Sequence, residues 1–167
     1  MNAIEEKLQG FKHRVLVALA AAAAERASCF FKAPGGLNHR ALLEAIQMAW
    51  DYAQGSGIAP QRISTVRSEL SALIPNIRDD VDKQPTMSAG VAGLYALDAI
   101  SDPTPRSTAR AFSAALDAVI SAAENPETAE DAEMSWRQFI LGVGQSVQEG
   151  SVTRAAFLNA EHPLKLH

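Results

Sequence analysis

Glycine and proline divide this sequence into segments of helical length, and within those segments apolar residues recur every three or four positions. Strand-type alternation of useful length is absent, and alanine, the best helix former, supplies 31 of the 167 residues. We therefore predict an all-α fold, a single-domain bundle of five or six main, mostly antiparallel helices plus short terminal helices. The domain spans residues 1–167, with 160–167 as a frayed tail.

Local stop and start signals place the predicted helices. Pro75 disfavours the α conformation of the residue before it, so one helix ends at Ile74. Thr104 can cap the helix that has Pro105 in its first position. We expect helices over residues 4–9, from 11 to before 34, from 39 to 54, 60–74, from 86 or 88 to 100, from 105 to 123, from 126 to 149, and 152–159.

Val15–Ala24 is an unbroken run of ten apolar residues behind three basic residues at 12–14, which imitates a signal peptide. Glu25 and Arg26 interrupt the zone where cleavage would fall. The run is also too short to cross a bilayer. We therefore expect it to form the longest, central helix of the bundle.

Cys29 is the only cysteine, so no intrachain disulfide can form and a reducing cytoplasm is the natural setting. It precedes Phe30 and Phe31. These apolar neighbours favour an inert core thiol over a nucleophile.

The net charge of −4 argues against nucleic acid as a partner, because duplex binding requires clustered Lys and Arg. No basic amphipathic face suggests a membrane partner either. Residues 124–149 carry six carboxylates against Arg137 alone. Most of them fall early in a predicted helix, where they complement its dipole; the other interpretation is an acidic docking face.

The sequence offers no motif for catalysis. No Gly-x-Ser-x-Gly is present, the four histidines are scattered, and a single cysteine cannot build a zinc site. We expect no catalytic residue, no metal and no cofactor.

Several large or polar side chains on apolar helix faces are candidate contacts for a ligand or a partner. Asp98 shares a face with Val91, Leu94 and Tyr95, so it would be partly buried and would need a partner. A structural pair with an arginine inside the bundle and a ligand-contacting pair both remain open. Gly90 and Gly93, within the same helix, favour close helix approach. The candidate contacts are Arg26, Trp50, Tyr95, Asp98 and Trp136.

A set of short motifs occurs in order along residues 4–148: His13 ahead of Glu25-Arg26 and Phe31, Ala49-Trp50-Asp51, Leu73-Ile74-Pro75-Asn76 followed by Asp79-Asp80, Tyr95-Ala96-Leu97-Asp98-Ala99, and Trp136-Arg137-Gln138-Phe139. In these motifs the chain resembles the YjaG-like family, bacterial helical proteins of unknown function. The resemblance implies an all-α cytoplasmic protein and supplies no catalytic residues.

Two functions from different classes fit these observations. The first is a non-enzymatic interaction module, acting through helix faces as a homo-oligomer, most simply a homodimer, or with another protein. Trp50 and Trp136 could anchor its interface. The alternative is a small-molecule-binding protein, or an enzyme without a recognisable motif, whose site between helices is lined by Arg26, Trp50, Asp98 and Tyr95.

Overall fold

The computed structural model describes residues 3–31, 40–74 and 84–122, together with the single positions 130, 131, 134 and 138. Within these residues every regular element is helical, which confirms the predicted all-α fold. The elements are α1 (Ala3–Lys7), α2 (His13–Ala27), a 3₁₀ turn (Ser28–Phe30), α3 (Arg40–Ala53), α4 (Pro60–Leu73), α5 (Gln84–Ser101) and α6 (Pro105–Ala122).

Helix α2 lies at the centre of the described bundle. It packs against α3, α5 and α6, and eleven of its fifteen residues are buried. The run Val15–Ala24 is buried throughout, because three helices cover it and its alanines let them approach closely. The prediction that this helix is the longest is wrong, since α5 and α6 have 18 residues each. No described helix has the length and apolar content needed to cross a membrane.

Several helix boundaries follow the local signals, but two predicted ranges are wrong. Helix α2 spans His13–Ala27 and passes into a 3₁₀ turn, rather than running from 11 to before 34, and α5 begins at Gln84 rather than at 86 or 88. Pro60 occupies the start of α4, and Ile74 caps its end, as predicted. The Oγ1 atom of Thr104 accepts a hydrogen bond of 3.2 Å from the backbone N–H of Ser107, which confirms the predicted cap of α6. The predicted start of the third helix at 39, the helix predicted over 152–159 and the tail 160–167 lie outside the described residues, and the helix predicted from 126 to 149 reaches them only at single positions.

Gly55 ends α3 with a positive φ of 101°, a conformation that costs an L side chain about 1–2 kcal/mol. The guanidinium of Arg14 lies over it, 3.4 Å from the place a Cβ would occupy.

We expect Gly55→Ala to lower the free energy of unfolding in urea by about 1–2 kcal/mol. Gly57→Ala is the control, because Gly57 has open space around it. Equal free energies of unfolding for the two variants would contradict the backbone strain expected of an alanine at the positive φ of Gly55.

Helix α5 turns its small residues toward the core. Ala89, Ala92 and Ala96 are fully buried. A Cβ at Gly93 would collide with Cδ1 of Leu42 and lie 3.1 Å from Cδ2 of Leu70, so the predicted close approach of helices is confirmed there. This inward small face lets α3 and α4 pack closely on α5, and it leaves larger side chains of α5 near the surface.

Candidate interaction surface

The outer face of α5 carries an apolar stripe that the bundle only half covers. Val91, Leu94 and Tyr95 pack against the core yet remain partly exposed, and Asp98 continues their row by one turn. We call these four residues the α5 stripe. Between Pro85 and Ile100, Asp98 is the only charged residue and none is fully exposed. The outer face of α5 is therefore mostly apolar.

Arg67 of α4 flanks the stripe on one side. Its Nη2 atom lies 3.4 Å from Oδ1 of Asp98, and the side chains are 44% and 34% exposed, respectively. Asp98 is partly buried and has a partner, as expected, but the pair lies at the surface and not inside the bundle, which was one of the two arrangements left open. Exposed pairs of this kind contribute about 0–1 kcal/mol to stability, so Arg67 can be changed without unfolding the protein.

Arg110 of α6 flanks the stripe on the other side. Its guanidinium carbon lies 6.0 Å from the centroid of the Tyr95 ring, at the outer limit of a cation–π contact. Both α4 and α6 pack against α5. The stripe is thus an apolar strip between two guanidinium groups. The same two helices also carry the exposed Arg62 and Arg106, whose charge is offset by the exposed Glu69 and Asp117.

Trp50 belongs to a different contact, between α2 and α3. The indole is fully buried, and its Nε1–H donates a hydrogen bond of 2.9 Å to Oε2 of Glu25. This bond lets α3 bury its largest side chain without leaving the indole N–H unsatisfied. Trp50 is therefore a core residue with a polar connection to α2.

The remaining candidates are placed as follows. Arg26 lies next to Glu25 near the end of α2 and is half-buried. Tyr95 and Asp98 lie together on the α5 stripe. Trp136 lies outside the described residues. Of the four described candidates, Trp50 lies in the α2–α3 contact, Arg26 lies near the end of α2, and Tyr95 and Asp98 lie together on α5.

Cys29 corrects one prediction, because the residue is exposed rather than part of the core. It lies in the 3₁₀ turn that follows α2, and its Sγ donates to the carbonyl oxygen of Arg26 at 3.3 Å. Burial of part of the residue raises the pKa of its thiol, and a backbone hydrogen bond lowers it less. The protonated form is therefore favoured, as expected of an unreactive thiol.

Sequence reasoning did not single out Arg67 and Arg110. An aspartate on an apolar stripe signals that a cation lies nearby. The sequence does not say which arginine, because the pair joins side chains 31 residues apart on different helices. Arg110 gave no signal at all, since its contact with Tyr95 depends on how α6 lies against α5.

No family model matches the chain, and neither a curated protein nor a solved structure matches it. The resemblance to the YjaG-like family therefore stays a prediction. In the part of the chain that the structure describes, no group of three or more His, Cys, Asp or Glu residues could hold a metal ion.

Proposed function

We propose that this protein is a non-enzymatic interaction module of the cytoplasm that forms a homodimer through the α5 stripe. The observation that carries the proposal is the orientation of α5. Its alanines and Gly93 face the core, whereas Val91, Leu94 and Tyr95 stay partly exposed on the outer face. A second protein surface would bury these side chains more completely.

The composition of the stripe supports a protein partner. Tyr and Arg are the residues that most often dominate binding energy at protein interfaces, and here Tyr95 is in contact with Arg110 at the edge of an apolar strip. Burying an apolar side chain contributes about 25 cal/mol for each Å² removed from water. A few such residues with two arginines can anchor an interface.

The test compares the same substitution at two leucines, one in the α5 stripe and one on another helix. Leu94→Asp places a carboxylate in the centre of the stripe, where a docked partner would leave it buried and unpaired. Leu43 lies on a different helix, α3, and is 54% exposed, so Leu43→Asp is the matched control. We expect Leu94→Asp to weaken self-association at least a hundredfold, measured by sedimentation, and Leu43→Asp to behave as the wild type.

Circular dichroism and thermal unfolding show whether each variant still folds. Self-association of folded Leu94→Asp at wild-type strength would overturn the assignment of the interface to α5. The alternative, a small-molecule site that includes Tyr95 and Asp98, predicts instead a ligand-dependent rise in thermal stability that is lost on Asp98→Ala.

A further inference from the structure

The α5 stripe is positively charged at its edges, although the chain as a whole carries a net charge of −4. Arg67 and Arg110 flank it directly. On the same two helices, the exposed Arg62 and Arg106 are offset by the exposed Glu69 and Asp117, so the charge at the edges comes from the two flanking guanidinium groups. Asp98 offsets part of this charge. The surface that fits the stripe therefore combines an apolar side chain with carboxylates, because like charges at an interface are unfavourable and opposite charges attract.

The chain itself carries such a surface. Glu130, Asp131, Met134 and Gln138 are helical and exposed. In the sequence they are three and four residues apart, which is the spacing of side chains that share one face of a helix. Met134 is 60% exposed, more than Leu43 and Ile120, the other large apolar side chains that are exposed among the described residues. We call this set the acidic face. It has two carboxylates within one turn of an exposed, flexible apolar side chain, a type that adapts readily to an apolar groove.

We infer that the α5 stripe binds the acidic face of a second copy of this chain. Met134 of one copy lies over Leu94 and Tyr95 of the other, and Glu130 and Asp131 pair with Arg67 and Arg110. This inference rests on the proposed function and names the partner surface of the same site.

A twofold dimer uses both surfaces of both copies. Each chain has one stripe and one acidic face, so a twofold axis makes the same contact twice and closes the assembly. An asymmetric contact of the same kind would leave one stripe and one face unused and would continue into a chain of subunits. Closure favours the dimer.

The test exchanges charges between the two surfaces. The first variant, Arg67→Glu with Arg110→Glu, has carboxylates on both surfaces. The second, Glu130→Arg with Asp131→Arg, has arginines on both surfaces. Each is expected to self-associate at least a hundredfold more weakly than the wild type, because like charges then meet in both contacts. All four substituted side chains lie at the surface, so both variants are expected to fold.

An equimolar mixture of the two variants is expected to dimerise again. In the mixed dimer, the acidic stripe of the first variant meets the basic face of the second, and the basic stripe of the second meets the unchanged acidic face of the first. Sedimentation of the mixture measures this directly. Arg40→Glu, a reversal at a 78% exposed arginine on α3, is the control for charge alone and is expected to leave self-association unchanged.

Three results overturn the inference: either variant dimerising alone as strongly as the wild type, a mixture that stays monomeric, or a wild-type chain that stays monomeric. If either of the first two results occurred while Leu94→Asp lost self-association, the dimer would still form through the α5 stripe, but its partner surface would not be the acidic face. If folded Leu94→Asp self-associated as strongly as the wild type, both the proposed α5 interface and this inference would be contradicted.

Discussion

Trp50→Ala is expected to lower the free energy of unfolding by about 3–5 kcal/mol. Trp50 is the largest fully buried side chain among the described residues, and its removal leaves a cavity between α2 and α3. Since small domains are stable by only about 5–15 kcal/mol, the loss removes a large part of the total. The midpoint of thermal unfolding is expected to fall by about 10 °C, measured by calorimetry or circular dichroism.

Conservative changes separate the volume of the indole from its hydrogen bond. Trp50→Phe keeps most of the ring but removes the N–H donor to Glu25, and it is expected to cost about 1–3 kcal/mol. Glu25→Gln keeps an acceptor oxygen and is expected to cost less. A free energy of unfolding of Trp50→Ala within about 1 kcal/mol of the wild-type value would contradict the packing of α3 against α2.

Gly93→Val is the second large expected effect, at about 3 kcal/mol of lost stability. Its side chain would collide with Leu42 and press on Leu70, so α3 and α4 would both have to move away from α5. The slightly better helix propensity of Val, a few tenths of a kcal/mol, is too small to offset this. Urea unfolding measures the loss.

A second substitution tests the cause. Leu42→Ala makes room where the valine would collide. The double variant Gly93→Val with Leu42→Ala should therefore lose less stability than the sum of the losses of the two single variants, by about 1 kcal/mol or more. Strict additivity of the two losses would contradict the predicted contact. Gly57→Val, in open space, is the control for the substitution itself.

The described helices were predictable because their boundaries depend on neighbouring residues. Pro60 begins α4, Ile74 ends it before a proline, and Thr104 caps α6 through a bond to Ser107 three residues away. Each of these effects acts within one turn of helix. The sequence therefore carries them in full.

The surroundings of the α5 stripe were less predictable, because they depend on contacts between helices. The spacing placed Val91, Leu94, Tyr95 and Asp98 on one face of α5. Gly90 and Gly93 predicted a close approach of helices, but the spacing did not show that the stripe stays on the outer face of α5. Nor did it bring Arg67 and Arg110 to the stripe, since both come from other helices.

Buried polar contacts over long sequence distances were missed for the same reason. The hydroxyl of Thr108 donates to the carbonyl of Leu16 at 2.9 Å across α6 and α2, and the hydroxyl of Thr86 donates to the carbonyl of Phe30. A threonine within a helix gives no signal of such a partner. Only the packing of the helices reveals it.

The most direct test of the homodimer is the mass of the wild-type chain in solution across a wide range of concentrations. Sedimentation equilibrium of the purified protein, from low micromolar to about millimolar, is expected to show a mass that rises from 17.8 kDa toward twice that value. The rise should weaken at high salt, because exposed arginines flank the contact. A constant mass of 17.8 kDa over the whole range would contradict the account.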